Sequence, residues 1–150
     1  MKNELRNKTK NIMTKEKFYK LSLIQKVYED AYNKKWDEVK GTSSIRIVQH
    51  ESPMDDNSPV ARVYETGGNF FLCGYNSLYF SPVGNAGLKP ALIKLGYAPS
   101  KRYYGGLSFR MDQIGNRGNG DFSIQEYAYG EVEKYLGSIG FNVGHDSRLD

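Results

Sequence analysis

The chain has 150 residues, a length that fits one domain with its own core, and its 39% hydrophobic and 25% charged residues are typical of a globular protein. Its formal net charge is +4, and its single cysteine excludes an intrachain disulfide and a zinc site built from several thiolates. The sequence has neither the ~20-residue apolar run of a membrane span nor a signal-peptide core, so we expect a cytoplasmic protein with no membrane partner. Its richness in Lys, Asn, Tyr and Ile is typical of an AT-rich genome, and we expect the cell to be a bacterium or a phage-infected host.

Positive charge is concentrated in two segments of the sequence. Residues 1–20 carry seven Lys and Arg against two Glu, and residues 89–120 carry six against one Asp, so each segment has a net charge of +5. An anionic partner would meet the chain at these segments if the fold brings them to one face. The alternative is that both are ordinary solvated surface.

The first 13 residues are polar and show no sustained periodicity. We therefore expect residues 1–13 to form a flexible basic arm and residues 14–150 to form a single domain. From Thr14 onward apolar residues recur at steps of three and four, which predicts an amphipathic helix over residues 14–38. Thr14 is the expected N-cap of this helix, and Gly41 is the expected end signal.

After this helix the apolar period changes to two, which is the period of a β-strand. The pattern predicts strands over residues 45–50, 60–66, 70–75 and 76–81, joined by short turns into an antiparallel meander. The aromatic side of the first helix should pack on this sheet.

A short helix is predicted over residues 86–96, with Pro90 in its first turn, where a missing amide proton is tolerated, and Gly96 as its end signal. A strand should follow over residues 106–111.

The last predicted helix starts with Ser123, which together with Glu126 matches a capping box. Gly130 and Gly137 weaken this helix, either because they allow close packing or because they are simply tolerated. The tail at residues 141–143 should add an edge strand. These elements predict the α+β class: an N-terminal amphipathic helix and a C-terminal helix packed on an antiparallel sheet of four to six strands.

The best candidate for a binding surface is the basic and tyrosine-rich stretch within residues 89–120. Lys and Arg neutralise phosphates, and Tyr rings stack on unpaired bases. The predicted nucleic-acid contacts are Lys94, Lys101, Arg102, Tyr103, Tyr104, Arg110 and Arg117. The glycine loop before the last helix can present backbone amides to an anion, which makes Gly115, Gly118 and Gly120 a candidate anion-binding loop. The alternative is a hairpin turn with cross-strand tyrosines and a flexible connection.

The residues available for catalysis are few. Cys73 lies in an apolar run and is typical of a buried core filler. His50 and His145 each have an acid beside them in sequence, but adjacency in sequence does not bring side chains face to face. We therefore expect no catalytic site, no metal site and no cofactor, and a hydrolase that uses Cys73 or His145 is the weakest alternative.

These patterns favour a small basic accessory protein that binds DNA, RNA or a nucleoprotein and has no enzymatic activity. The alternative is a protein-interaction factor or inhibitor of phage or mobile-element type that acts through a tyrosine-rich surface. A continuous positive face would favour the first class, and scattered cations beside an exposed aromatic patch would favour the second.

Overall fold

The computed structural model describes residues 13–42, 46–65, 74–102, 105–114 and 121–149. In chain order the elements are α1 (Lys15–Leu21), α2 (Ile24–Val39), β1 (Arg46–His50), β2 (Val60–Glu65), β3 (Gly74–Phe80), α3 (Leu88–Lys94), β4 (Ser100–Lys101), β5 (Leu107–Phe109), α4 (Phe122–Ile139) and β6 (Val143–Leu149). The strands form two antiparallel sheets, with strand orders β1-β2 and β4-β5-β3-β6. Helices packed on antiparallel strands make this the predicted α+β class.

The N-terminal helical region begins as predicted, but it consists of two helices and not of one helix over residues 14–38. Thr14 caps α1, and its hydroxyl oxygen accepts a hydrogen bond from a first-turn amide at 3.1 Å. The helix is interrupted at Ser22, whose hydroxyl donates to the Tyr19 carbonyl, and a side-chain bond of this kind competes with the helical pattern. As predicted, α2 ends just before Gly41, which has a left-handed φ of 77°.

The helices form layers over one face of the four-stranded sheet. The C-terminal helix α4 contacts β3 and β6 directly, and α2 packs along α4. The rings of Tyr28 and Tyr129 meet edge to face with their centroids 5.3 Å apart. The Tyr32 hydroxyl donates to the Asp121 carboxylate at 2.7 Å. The aromatic side of α2 therefore meets α4, where its rings and its hydroxyl find partners.

The strands predicted within residues 45–81 do not form one meander, because β3 belongs to a different sheet from β1 and β2. The hairpin of β1 and β2 is present, with Val48 opposite Val63. A single strand runs through residue 75, where a boundary between two strands was predicted, while residues 66–73 lie outside the described part of the chain. Residues 74–80 alternate between inner and outer positions without a break, so they form one continuous strand.

The C-terminal tail adds a longer edge strand than the one predicted over residues 141–143. Strand β6 pairs with the whole of β3, from Val143 opposite Phe80 to Leu149 opposite Gly74. Its second half is polar, so the apolar periodicity did not predict a strand beyond residue 143. An edge strand tolerates polar residues because one side of it faces water.

The middle of the chain follows the prediction closely. Helix α3 lies within residues 86–96, with Gly87 at its N-cap and Pro90 in its first turn, and Gly96 follows it with a φ of 99°. The strand predicted over residues 106–111 is shorter, since β5 covers three residues. No helix in the described ranges has the length and apolar character needed to cross a bilayer.

The predicted capping box at the start of the last helix is wrong, because Asp121 and not Ser123 occupies the N-cap of α4. Ser123 is exposed within the first turn. Asp121 is only 3% exposed, and its carboxylate accepts hydrogen bonds from Tyr32 at 2.7 Å and from the Gln125 side chain at 2.8 Å. A contact with α2 therefore decides which polar residue starts α4.

Candidate nucleic-acid interface

The four-stranded sheet has an inner face covered by α4 and an outer face that α4 leaves open. Along β3, Asn76, Leu78 and Phe80 are buried on the inner side. Tyr75 and Tyr79 alternate with them, and Tyr75 is 41% exposed while Tyr79 is half-buried. We call the surface that carries these two tyrosines the outer face.

The neighbouring strands bring arginines to the outer face. In the pairing of β3 with β6, Arg148 lies opposite Tyr75. In the pairing of β3 with β5, Ser108 lies opposite Tyr79, and Arg110 follows Ser108 by two residues on the same side. The β3 tyrosines therefore have arginines on both flanking strands.

Arg102 is held over the ring of Tyr79 by the turn that follows β4. Its guanidinium carbon lies 4.2 Å from the ring centroid, and the guanidinium also forms an ion pair with Asp146 of β6. The turn closes through a hydrogen bond of 3.2 Å from the Arg102 amide to the Gly106 carbonyl. Gly106 has a φ of 75°, and a Cβ there would lie 2.9 Å from the Phe80 carbonyl oxygen, so glycine is required.

Tyr75 has two arginines beside it. The guanidinium carbon of Arg110 lies 5.5 Å from the ring centroid, which is within cation–π range. Nη1 of Arg148 donates to the Tyr75 hydroxyl oxygen at 3.4 Å. This hydrogen bond is the main cause that raises the pKa of Arg148 above its usual range, because it favours the charged guanidinium.

The outer face is positively charged and grooved. It carries the three arginines described above and two carboxylates, that of Asp146 and that of Asp112, which lines the groove. A groove of about 530 Å³ is lined by Tyr75, Ser77, Tyr97, Ser108 and Arg110, among others. The neutral hydroxyl of Tyr97 can donate a hydrogen bond in this groove. Burial raises its pKa to about 12.

The predicted contact residues do not all come together. Arg102 and Arg110 lie on the outer face, whereas Lys101 lies opposite a buried residue of β5 and leaves its strand on the other side. Lys94 lies in the last turn of α3, with Nζ 5.2 Å from the centroid of the Phe18 ring in α1. The following predictions lie outside the described residues: Tyr103, Tyr104, Arg117, Gly115, Gly118, Gly120 and residues 1–12 of the basic arm.

Three outer-face residues were missed at the level of sequence: Tyr75, Tyr79 and Arg148. The two tyrosines could have been found, because Tyr-x-Ser-x-Tyr alternates with an apolar set, but a strand boundary was placed inside this pattern. Arg148 had no local signal, since it lies in a polar tail whose pairing with β3 is a long-range event.

The remaining candidates for chemistry give no metal site. His50 Nδ1 lies 2.9 Å from the Ser58 carbonyl oxygen at the base of the β1–β2 loop, and Cys73 lies outside the described residues. Within the described ranges, no three His, Cys, Asp or Glu side chains are grouped so that they could hold a metal ion. No protein-family model matches the chain, and comparisons with curated proteins and with solved structures found no similar protein.

Proposed function

We propose that this chain is a small accessory protein that binds single-stranded DNA or RNA on the outer face of its four-stranded sheet. The observation that carries the proposal is the pair Tyr75 and Tyr79 on β3, each with an arginine against its ring. Aromatic rings on a sheet offer a platform on which unpaired bases stack, and arginines beside them neutralise the phosphates.

The spacing of the two tyrosines favours a single strand over a duplex. Four residues along a β-strand correspond to about 13 Å, so the two rings can hold bases at two points of one extended strand that runs along β3. Paired bases inside a duplex cannot reach such rings without being unstacked. The groove lined by Tyr75 and Ser77 gives room for a nucleotide beside the Tyr75 ring.

The test is fluorescence anisotropy with labelled oligo-dT and oligo-U at low salt, together with a duplex of the same length. Replacing Tyr75 or Tyr79 by Ala should weaken single-strand binding by 1–3 kcal/mol for each lost stacking contact, or roughly 5- to 150-fold, and leave duplex binding unchanged. Arg110→Ala should lower the slope of log K against log salt by about 0.7.

A matched control is available on the other sheet. Tyr64 on β2 is 47% exposed, so Tyr64→Ala removes a similarly exposed ring away from the outer face. This variant should bind like the wild type. If the intact protein binds neither oligonucleotide at low salt, or if Tyr64→Ala weakens binding as much as Tyr79→Ala, the proposal is wrong.

The second candidate function is protein interaction, and the β1–β2 hairpin favours it. Four large apolar side chains of this hairpin are exposed: Val48, Val60, Val63 and Tyr64. Val48 and Val63 lie opposite each other and so share one face of the hairpin. Exposed apolar side chains that share a face are typical of a contact with another protein, which would be a phage, mobile-element or nucleoprotein component. Val63→Lys should abolish capture of such a partner and leave oligonucleotide binding unchanged.

A further inference from the structure

Ser147, His145 and Glu133 lie close together on the inner side of the edge strand β6. Nε2 of His145 lies 2.8 Å from the Ser147 hydroxyl oxygen and 3.3 Å from the side-chain oxygen of Asn76, and Nδ1 lies 3.5 Å from a carboxylate oxygen of Glu133. The Ser147 hydroxyl also lies 2.6 Å from the side-chain oxygen of Asn76, which is fully buried. A hydroxyl, an imidazole and a carboxylate in this order are the components of an activated nucleophile.

Two elements place these side chains. Alternation along β6 turns His145 and Ser147 toward α4, and the strand register sets Ser147 opposite Asn76. On α4, Tyr129 and Glu133 are four residues apart and share one side of the helix. The ring of Tyr129 stacks on the imidazole at 6.1 Å with an interplanar angle of 28°, which orients the imidazole between Glu133 and Ser147.

The protons can be assigned from the partners. A carboxylate only accepts hydrogen bonds, so Glu133 favours the tautomer of His145 with its proton on Nδ1, which leaves the lone pair of Nε2 facing Ser147. The Asn76 oxygen, 3.3 Å from Nε2, is also an acceptor and favours the other tautomer, but it already accepts the shorter hydrogen bond from Ser147. The hydroxyl of Ser147 can turn its proton from the Asn76 oxygen to Nε2, because both acceptors lie within 3 Å of its oxygen. His145 is then placed to act as a general base toward Ser147.

The surroundings of Ser147 point to a class of substrate. Ser147 is exposed at the edge of the sheet, and Leu149, two residues along on the same side, is 57% exposed. The ring of Phe122 lies against Gly74, which is opposite Leu149 in the register and has no room for a Cβ. Leu149 and Phe122 therefore form an apolar shelf beside the hydroxyl.

We propose that Ser147 is a nucleophile that takes the acyl group of apolar carboxylic esters. In the step, Oγ of Ser147 bonds to the ester carbonyl carbon, and its proton passes to Nε2 of His145. The bond from the carbonyl carbon to the leaving oxygen breaks, and that oxygen takes the proton from Nε2 as an alcohol. Water, deprotonated by the same imidazole, then releases the acid and restores the serine. Glu133 is a positioning residue for the imidazole.

The first test is covalent labelling of the full chain with a fluorophosphonate probe, followed by mass spectrometry to locate the labelled residue. The probe should modify Ser147, and His145→Ala should lower the labelling rate about 100-fold, the contribution typical of a general base. Ser123→Ala removes an exposed serine of α4 and should be labelled like the wild type. Should His145→Ala destabilise the fold, His145→Gln gives the same comparison in a side chain that keeps polar contacts.

The role of Glu133 is tested by comparing the labelling rate with the melting temperature, because a purely structural role would change both together. Glu133→Gln should slow labelling while the melting temperature stays unchanged, and Glu133→Asp should recover part of the rate. Failure of the probe to modify Ser147 in the wild type, or equal labelling of the wild type and His145→Ala, overturns the proposal.

The substrate class is tested by hydrolysis of p-nitrophenyl butyrate and p-nitrophenyl acetate. The butyrate ester should be preferred by the wild type, and Leu149→Ser should lower the rate for butyrate more than the rate for acetate, so that the preference is lost. Equal rates for both esters in the wild type, or a preference that survives Leu149→Ser, would show that the apolar shelf takes no part. Ser147→Ala should hydrolyse neither ester above the background rate, and undiminished hydrolysis in this variant would refute the nucleophile.

Discussion

Arg102 makes two contacts that compete with a ligand on the outer face. Its guanidinium lies over Tyr79 and pairs with Asp146, so both its charge and one face of the ring are occupied in the free protein. A nucleotide phosphate would have to replace the Asp146 carboxylate. A base would have to displace the guanidinium from the ring, because the Tyr79 ring also packs against Gly144, where it leaves no room for a Cβ. If the outer face binds single strands as we propose, Asp146 therefore lowers the affinity without touching the ligand.

The variant Asp146→Asn should consequently bind single-stranded oligonucleotides more tightly, by about fivefold or ~1 kcal/mol, which is the usual size of an exposed ion pair. The measurement is a double-mutant cycle with Arg102→Ala. If Asp146 acts by holding Arg102, its effect should disappear in the Arg102→Ala background. Asp56→Asn makes the same charge change in the β1–β2 loop and should leave affinity unchanged; a gain equal to that of Asp146→Asn would mean that only net charge matters.

The N-cap of α4 gives a second prediction at this scale. Asp121→Ala should lower the free energy of unfolding by about 3 kcal/mol, because the buried Tyr32 hydroxyl and the Gln125 amide would both lose an acceptor. Ser123→Ala should change it by less than about 0.5 kcal/mol, as expected for an exposed position that caps nothing. Urea unfolding of the two variants checks this. A larger loss of unfolding free energy for Ser123→Ala than for Asp121→Ala would support the capping box.

Among the elements, α4 is the one that joins the layers, since it contacts α1, α2, β3 and β6. It nevertheless contains two glycines, Gly130 and Gly137, and each weakens a helix relative to Ala. Among the described residues, a Cβ added at either position would meet no heavy atom within 4 Å outside the local helix, so packing against these residues does not explain the glycines. They are tolerated residues and offer a route to a more stable helix.

We therefore expect Gly130→Ala and Gly137→Ala each to stabilise the protein by about 0.5–1 kcal/mol, through the lower entropy of the unfolded chain and better helix propensity. Gly106→Ala is the contrasting variant, because its positive φ and the nearby Phe80 carbonyl make a Cβ unfavourable, and it should destabilise the protein. Thermal unfolding of the three variants measures these changes in stability. A loss of stability in both α4 variants would show that the helix needs these glycines.

At the scale of the whole molecule, the core is unusually rich in tyrosine. Tyr28, Tyr32 and Tyr129 are among its largest fully buried side chains. Burial raises the pKa of Tyr28 and of Tyr129 above their usual values, and it raises the pKa of Tyr97 to about 12. These hydroxyls therefore hold their protons in the folded state at a pH where the unfolded chain has begun to lose them.

This difference predicts a loss of stability in alkali. The contribution of each such tyrosine is fully present below about pH 10, the pKa of an unfolded tyrosine, and is lost as the pH rises toward the folded value. Between pH 10 and 12 the free energy of unfolding should fall by about 1.4 kcal/mol per pH unit for each retained proton. Urea unfolding across this range checks the slope, and Tyr28→Phe should reduce it by one proton; an unchanged slope in that variant would exclude Tyr28 as a contributor.

The sequence by itself determined the features that depend on neighbours a few residues apart. These are the α+β class, the Thr14 cap, the loop that separates β1 from β2, and the short helix within residues 86–96 that ends before Gly96. Periodicity, capping residues and glycine conformation act over one or two turns of chain, so they are visible without the fold. Arg102 and Arg110 were also predicted as contacts in this way, from the density of charge and aromatic rings, and both lie on the outer face.

Only the tertiary structure decided which of these residues meet. Strand β6 joins β3 across about 70 residues, and this pairing alone brings Arg148 to Tyr75 and Asp146 to Arg102. It also sets His145 and Ser147 against α4. The cap of α4 depends in the same way on Tyr32, which lies 89 residues before Asp121. A polar side chain carries no periodic signal for a distant partner, because its hydrogen bonds and ion pairs exist only once the backbone pairing has placed it.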